Sequence, residues 1–239
     1  MAYQYHDCEV INVIGAAPGV KRFIIKYPET YKLEFKAGQF IMLDLPIDSK
    51  YTNRSYSIAS ACNDENWLEL LIVLNPQGLG TPHLFDNIGV GSIVKASSPL
   101  GKFTLVEPIE TDVCFICTGT GVAPFRAMIQ EIFLHKKPFK SITLIMGSRK
   151  AEDLSYRDEF EKLALENENF HYYPVLSKEE SESWKGFKGY VHDVYLQYFN
   201  IPSNTIFYLC GWSAMLKEAR EKLQTLVHDK KQIKFESYD

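Results

Sequence analysis

The stretch Gly119-Thr120-Gly121-Val122-Ala123-Pro124 has residue types and spacing suited to chemistry. It follows the apolar run from Val113 to Cys117 and opens a segment patterned as a helix from about Ala123 to His135. Glycine lets backbone come close to a bound group, and a helix N-terminus offers unpaired N–H groups with partial positive charge. A pyrophosphate suits such a turn, and α/β sheets take their ligands at the carboxyl ends of parallel strands. Pro124 stands where the third glycine of G-x-G-x-x-G would be, so the stretch departs from that fingerprint. Taken alone it reads equally well as a tight strand-to-helix turn.

Two more stretches carry similar chemistry. In Arg54-Ser55-Tyr56-Ser57-Ile58-Ala59-Ser60, period-two alternation sends Arg54, Tyr56 and Ile58 to one side and Ser55, Ser57 and Ala59 to the other. An arginine grips phosphate, a tyrosine offers a flat face and Ser57 offers a hydroxyl. The plain alternative is an amphipathic strand with a surface arginine. In Gly78-Leu79-Gly80-Thr81-Pro82-His83-Leu84, Thr81 is expected at an N-cap with Pro82 at the first helical position, a second place for phosphate. By itself that pattern is simply a well-capped helix.

These stretches need elements to position them, and 239 residues are comfortable for two domains. The first half alternates. Short strands are expected over Cys8–Ile14, Val20–Tyr27, Gln39–Leu45, Ser55–Ser60, Trp67–Leu74 and Ser92–Ser97, with turns between, including Pro46–Asn53, and one helix over Thr81–Ile88. Short strands at close spacing point to an antiparallel barrel. The second half alternates strand with helix. Strands are expected at Val113–Cys117, Ile142–Met146, Phe170–Leu176 and Ile206–Cys210, with helices near Ala123–His135, Tyr156–Leu165, Val191–Tyr198 and Ala214–Val227. That grammar means βαβ units and a parallel sheet. The change falls around Glu107-Pro108, giving expected domains 1–107 and 108–239.

Composition narrows the function classes. Net charge of −4 and a pI of about 5.9 do not suit a nucleic-acid binder. The cluster Lys230, Lys231 and Lys234 reads as solvated surface. No apolar run reaches the roughly 20 residues of a membrane span. Met1 to Asp7 lacks the pattern of a signal peptide, so a cytoplasmic location is expected, without nucleic-acid or membrane partners. Five cysteines, an odd and sparse count, do not read as a disulfide framework.

Cys114 and Cys117 form a C-x-x-C inside an apolar strand, where period two points the thiols to opposite faces, so neither metal nor redox chemistry is expected. No C-x4-C-x2-C follows, which argues against an iron–sulfur cluster. No histidines pair at ligand spacing; His83 and His192, near helix starts, read as caps or surface residues.

Jointly, the stretches resemble the ferredoxin–NADP reductase superfamily over nearly the whole chain. Arg54 to Ser60 is similar to its R-x-Y-S flavin motif, and Gly78 to Thr81 to its G-x-x-[ST] turn. Pro99-Leu100-Gly101-Lys102-Phe103 is similar to P-x-G-x-F, Gly119 to Pro124 to G-T-G-x-A-P, and Cys210-Gly211 with Met215 to C-G-x-x-x-M. Each motif is weak alone; their order and spacing are specific. The resemblance implies a two-domain fold, an antiparallel Greek-key barrel for FAD followed by a Rossmann-like α/β domain for NAD(P). It implies that Arg54, Gly78 and Thr81 hold the FAD pyrophosphate, that Tyr56 stacks on the isoalloxazine and that Ser57 hydrogen-bonds at flavin N5. Gly119, Thr120 and Gly121 would receive the nucleotide pyrophosphate, and Cys210 would lie beside nicotinamide C4. Glu236-Ser237-Tyr238 resembles the Glu-x-Tyr terminus of some members, in which the aromatic ring covers the flavin; Asp239 lies one residue beyond that pattern.

The implied activity is hydride transfer from NAD(P)H to bound FAD, with electrons passed to a separate acceptor, ferredoxin or flavodoxin at the family level. The rivals are a free-flavin reductase, a non-catalytic FAD-binding electron-transfer subunit, and a dinucleotide-binding regulator. NADPH is the expected donor, with NADH as the alternative. Ser148-Arg149 and Ser177-Lys178 end consecutive strands and pair a hydroxyl with a cation, which suits a 2′-phosphate. Family members that use NADP tend to carry Ser-Arg at the second place, where this chain has Lys178. Glu179 and Glu180 just downstream cloud the signal.

Overall fold

The computed structural model describes residues 4–47 and 50–238. Readings that fell on residues 1–3, 48–49 and Asp239 lie outside the described residues. The chain divides into two compact units, Met1–Leu105 with Ala123–Lys136, and Val106–Val122 with Lys137–Asp239.

The first unit is built on six strands: β1 Tyr5–Ala17, β2 Val20–Lys26, β3 Phe40–Ile47, β4 Lys50–Ser57, β5 Trp67–Val73 and β6 Ile93–Ser97. Their order is β4-β3-β6-β1-β2-β5 with antiparallel pairing. The two edge strands meet where Ile58 bridges Leu70 and Ala59 N–H donates to Glu69 C=O at 2.8 Å. The sheet thereby closes into the expected barrel. Alternate residues fill it, among them Val10, Phe23, Ile25, Ile41, Leu43, Ile58, Leu68 and Leu70. Strand β5 departs from alternation: Glu69 and Leu71, on its other face, are buried too. Part of the reason is helix α2, Val122–Leu134, most of which belongs to this unit and reaches Glu69 through Arg126.

The helix read at Thr81 is α1, Gly80–Asn87, and it starts one residue early. Thr81 is not its N-cap. That place falls to Leu79, which offers no side-chain cap. The Thr81 hydroxyl instead accepts from Asn75 N–H at 2.8 Å and donates to Asn75 C=O at 3.3 Å, pinning the loop before the helix.

The second unit is a parallel sheet of order β10-β9-β8-β7-β11-β12. Its strands are β7 Val113–Thr118, β8 Ile142–Ser148, β9 Phe170–Leu176, β10 Phe187–Lys188, β11 Ile206–Gly211 and β12 Ile233–Ser237. Helices α3 Arg157–Glu166, α4 Val191–Tyr198 and α5 Ser213–Leu223 complete it. Central strands buried on both faces read as continuous apolar runs, which is why they were legible. The two edge strands were not. β10 is only 2 residues long, and β12 carries Lys234 and follows Lys230 and Lys231, the lysines read as surface. Lysine on an edge strand is a common guard against unwanted pairing. The last helix also ends earlier than its pattern, because Val227 pairs with Ser203 as a bridge.

Candidate functional site

In the first unit, β4 carries Arg54, Tyr56 and Ser57, in register with Leu43, Ile41 and Phe40 of β3. The face shared by Ile58, Tyr56 and Arg54 runs from core to solvent: Ile58 is fully buried, Tyr56 half-buried and Arg54 exposed. Burial pushes the Tyr56 phenol up to about 12, so it stays neutral at ordinary pH. Ser57 is only 7% exposed. Arg54 Nη1 donates to Asn53 C=O at 2.8 Å, and its stem lies across the start of α1. A Cβ on Gly80 would stand 3.2 Å from Arg54 Cγ and 3.3 Å from Nε. Gly78 closes the turn before α1 by donating its N–H to Asn75 C=O at 3.0 Å. A guanidinium therefore lies over a helix start that has no side-chain cap, an arrangement that fits a pyrophosphate.

In the second unit, Thr118 ends β7 and Gly119–Gly121 form a single 3-10 turn leading into α2. Gly119 has φ +54°, and a Cβ there would meet nothing within 4 Å. At Gly121 a Cβ would stand 2.5 Å from the Cys210 carbonyl oxygen, so only glycine fits. Gly211 reciprocates: with φ +140°, its Cβ would stand 2.4 Å from Thr118 Oγ1. The turn is thus pressed against the end of β11 backbone to backbone. Thr118 Oγ1 and Ser148 Oγ, at the carboxyl ends of neighbouring strands β7 and β8, are buried and have no hydrogen-bond partner among the described residues. Buried hydroxyls of that kind at the carboxyl ends of parallel strands fit a polar ligand such as the nucleotide pyrophosphate.

Strand β12 brings the C-terminal residues to the same edge. It pairs Cys210 with Glu236 and Gly211 with Ser237, and Tyr238 N–H donates to Gly211 C=O at 3.2 Å. Burial raises the Cys210 thiol well above its ordinary range, while a hydrogen bond with the Tyr238 side chain pulls the other way. Cys210 is therefore a neutral thiol, suited to packing and orientation rather than nucleophilic attack. Tyr238 remains 36% exposed.

The paired strand ends also meet. Ser177 N–H donates to Ser148 C=O at 3.0 Å, and Lys178 N–H to Arg149 C=O at 2.9 Å, setting Arg149 beside Lys178. Glu179, the residue that clouded this place, stays at the corner: its carboxylate accepts from Ala151 N–H at 3.0 Å and Ser181 N–H at 2.9 Å. Those two bonds hold its pKa below the usual carboxylate value.

Cys114 and Cys117 are both fully buried free thiols, raised by that burial. Among the described residues, no group of three or more His, Cys, Asp or Glu could hold a metal ion. His192 is a correction: it is buried, not surface, with Nδ1 2.9 Å from the Tyr195 hydroxyl and Nε2 3.3 Å from Glu218. Desolvation lowers its pKa. No helix among the described residues is long and apolar enough to cross a membrane.

One buried cluster was missed. Arg22 Nε and Nη2 donate to Glu69 Oε1 at 2.8 Å and Oε2 at 2.6 Å, and Arg126 Nη1 donates to Glu69 Oε1 at 3.0 Å. The signal was available: an acid inside the apolar strand Trp67–Leu74, and an arginine inside the apolar helix segment Val122–Ile129. Charges in wholly apolar elements must find partners.

A closed antiparallel barrel with a phosphate-suited helix start, followed by a parallel sheet with a glycine turn at its central strand, defines a two-domain flavin- and nucleotide-binding oxidoreductase. The family models agree. The oxidoreductase FAD-binding domain matches residues 7–105 and the oxidoreductase NAD-binding domain residues 115–221. The chain belongs to the ferredoxin reductase-like family of FAD/NAD(P) oxidoreductases. It is 32% identical over 213 residues to the reductase component of phenol 2-monooxygenase from Pseudomonas sp. (strain CF600), covering 88% of this chain and 59% of that protein. Ferredoxin–NADP reductase B of Sorangium cellulosum (strain So ce56) is 29% identical over 241 residues, covering 98% and 97%. A solved ferredoxin–NADP+ reductase from Neisseria gonorrhoeae with bound FAD and NADP superposes with a TM-score of 0.81 at 26% identity, covering 99% of each chain. The chain spans 59% of the length of the phenol 2-monooxygenase reductase component and 60% of the length of the phenol hydroxylase P5 protein of Acinetobacter pittii (strain PHEA-2).

Proposed function

We propose that this chain takes a hydride from NAD(P)H onto tightly held FAD and passes electrons to a separate protein acceptor. The observation that carries the reading is the pairing of Arg54 with the uncapped start of α1 in one unit and the glycine turn with its orphaned hydroxyls in the other. Bound FAD supplies the chemistry that joins a two-electron donor to one- or two-electron acceptors. The chain's own residues bind and orient. Arg54 and the first turn of α1, held by Gly78 and Thr81, grip the FAD pyrophosphate. Tyr56 offers its ring to the isoalloxazine, and Ser57 its hydroxyl at N5. Gly119, Thr120 and Gly121 receive the nucleotide pyrophosphate. Cys210 orients the nicotinamide as a neutral thiol, and Glu236 and Tyr238 complete that edge of the site. Arg149, Ser177 and Lys178 select the 2′-phosphate of NADPH, the Lys178 N–H being bonded to the Arg149 carbonyl. The five free cysteines suit the reducing cytoplasm. Ferredoxin or flavodoxin is the acceptor we favour, by analogy with Sorangium cellulosum ferredoxin–NADP reductase B.

The test is anaerobic stopped-flow reduction of the purified protein with NADPH and NADH, followed by addition of ferredoxin, flavodoxin and free flavin. An oxidised-flavin spectrum, rapid bleaching by NADPH and reoxidation by a protein acceptor are expected. A colourless protein that FAD cannot reconstitute would sink the reading. Reoxidation by free flavin alone would turn it into a flavin reductase.

A further inference from the structure

The buried cluster around Glu69 lies in the first unit, on the face of β5 opposite the barrel core. The Glu69 side chain is 3% exposed and that of Arg126 8%. A carboxylate taken from water needs charged hydrogen-bond donors, and two guanidinium groups supply them. Stability alone does not call for the arrangement, because apolar residues of similar volume often replace a buried ion pair without loss.

Its distinctive feature is where the guanidinium of Arg126 points. Nη1 is shared between Glu69 Oε1 at 3.0 Å and the Ala59 carbonyl at 2.8 Å. Ala59 follows Ser57-Ile58 on the flavin strand, and its own N–H donates to Glu69 C=O at 2.8 Å. Ser60 Oγ accepts from Glu69 N–H at 3.1 Å. One turn further along α2, Gln130 Oε1 accepts from Ala61 N–H at 3.1 Å. The helix thus grips Ala59 and Ala61 at two points. It also lies so close to the barrel that a Cβ on Gly38 would stand 2.4 Å from the Met128 methyl. The same helix begins at Val122, directly after the Gly119–Gly121 turn.

We propose that Glu69 and Arg126 are positioning residues for hydride transfer. They fix the chain segment that follows Ser57 to the body of α2 within the first unit, so that the flavin strand end holds its place. The proposal rests on the flavin reading above. Neither residue touches the reacting atoms; they act through the Ala59 carbonyl and the first turns of α2. Geometry errors of about 1 Å at a reacting pair slow reactions by roughly 10²-fold, so even a small slackening is measurable.

The experiment uses the FAD-loaded full chain as Arg126→Met, Arg126→Lys, Glu69→Gln and the double Glu69→Leu/Arg126→Met. Four quantities are read: flavin retention, thermal midpoint, NADP+ dissociation constant from difference spectra, and the limiting rate of flavin reduction at saturating NADPH. Hydrogen exchange at the Ala59 and Ala61 amides is followed alongside. The double variant, which removes Glu69 together with Arg126 and leaves Arg22, whose side chain is 27% exposed, to water, is expected to keep flavin and thermal midpoint near wild type. Its limiting rate should fall by roughly tenfold or more with the NADP+ constant little changed, and the two amides should exchange faster. Arg126→Lys should recover part of the rate, since an ammonium keeps the charge and donors but lacks the pre-organised planar guanidinium. If the double variant does not fold, Glu69→Gln, which keeps the volume and an acceptor oxygen, carries the same rate and exchange readouts. Wild-type limiting rates with wild-type exchange in the folded variants overturn the proposal, as does a rate loss that simply follows the thermal midpoint. A wild-type protein that binds no FAD overturns the flavin reading itself, and is recognised before any variant is made.

Discussion

At the start of α1 an arginine side chain lies over the glycine backbone; at the start of α2 the glycines are pressed against other backbone. Gly80 makes room for the stem of Arg54. Gly121 makes room for the carbonyl of Cys210, and Gly211 for Thr118. Both turns suit a pyrophosphate, but they spend glycine differently. The first presents a full formal charge in addition to helix amides, which favours long retention of a resident cofactor. The second presents amides and hydroxyls, with Arg149 and Lys178 following the ends of neighbouring strands. That suits a nucleotide that must arrive and leave in every turnover. On the proposed reading, side-chain charge sets retention in one unit and backbone shape sets approach in the other.

Four experiments would break or sharpen this contrast. The largest effect is expected for Gly121→Ala, because the new methyl meets a backbone carbonyl that cannot swing aside. A loss of about 3 kcal/mol in denaturant unfolding, with nucleotide binding abolished, is expected from overpacking of this kind. Near-wild-type stability would mean that the end of β11 yields, and that backbone shape is not what fixes the second turn.

Next comes Arg54→Ala. Loss of a charged hydrogen-bond donor to a phosphate is worth about 1.5–3 kcal/mol, so FAD should bind roughly 10–100-fold more weakly in titrations of the apoprotein. The wild-type constant should also weaken with salt, because Arg54 is exposed, and the variant's constant should respond less. Equal FAD affinity in variant and wild type would remove charge from the account of retention.

A smaller change, of roughly tenfold, is expected in the limiting reduction rate of Ser57→Ala and of Cys210→Ala, with nucleotide affinity nearly unchanged. Weakened binding at a preserved rate would give these residues a different role. The smallest effect concerns donor choice. Arg149→Ala and Lys178→Ala should each lower kcat/KM for NADPH by roughly two- to fivefold while sparing NADH, the scale of one exposed charge contact. A wild type that prefers NADH would overturn the assignment of this corner.

Local pattern determined much of this protein. The change from period two to strand–helix alternation announced a barrel followed by a parallel sheet. The motifs around Arg54, Gly119 and Cys210 announced what the two units bind. These signals are short-range: a strand, a glycine turn and a helix start are each written within about ten residues. What only the tertiary structure decided are meetings of distant segments. Tyr238 reaches Cys210 because β12 pairs with β11, although its lysines disguise it as surface chain. Thr81 turned from helix cap to loop staple because Asn75 offers both a donor and an acceptor within reach. Glu179, which clouded the donor choice, joins the ends of two segments by accepting from the Ala151 and Ser181 N–H groups. Glu69 and Arg126, 57 positions apart, became partners because α2, which follows the nucleotide turn in sequence, packs with the barrel. A hydrogen bond is chosen by proximity in space, and residue spacing along the chain fixes that only within single elements.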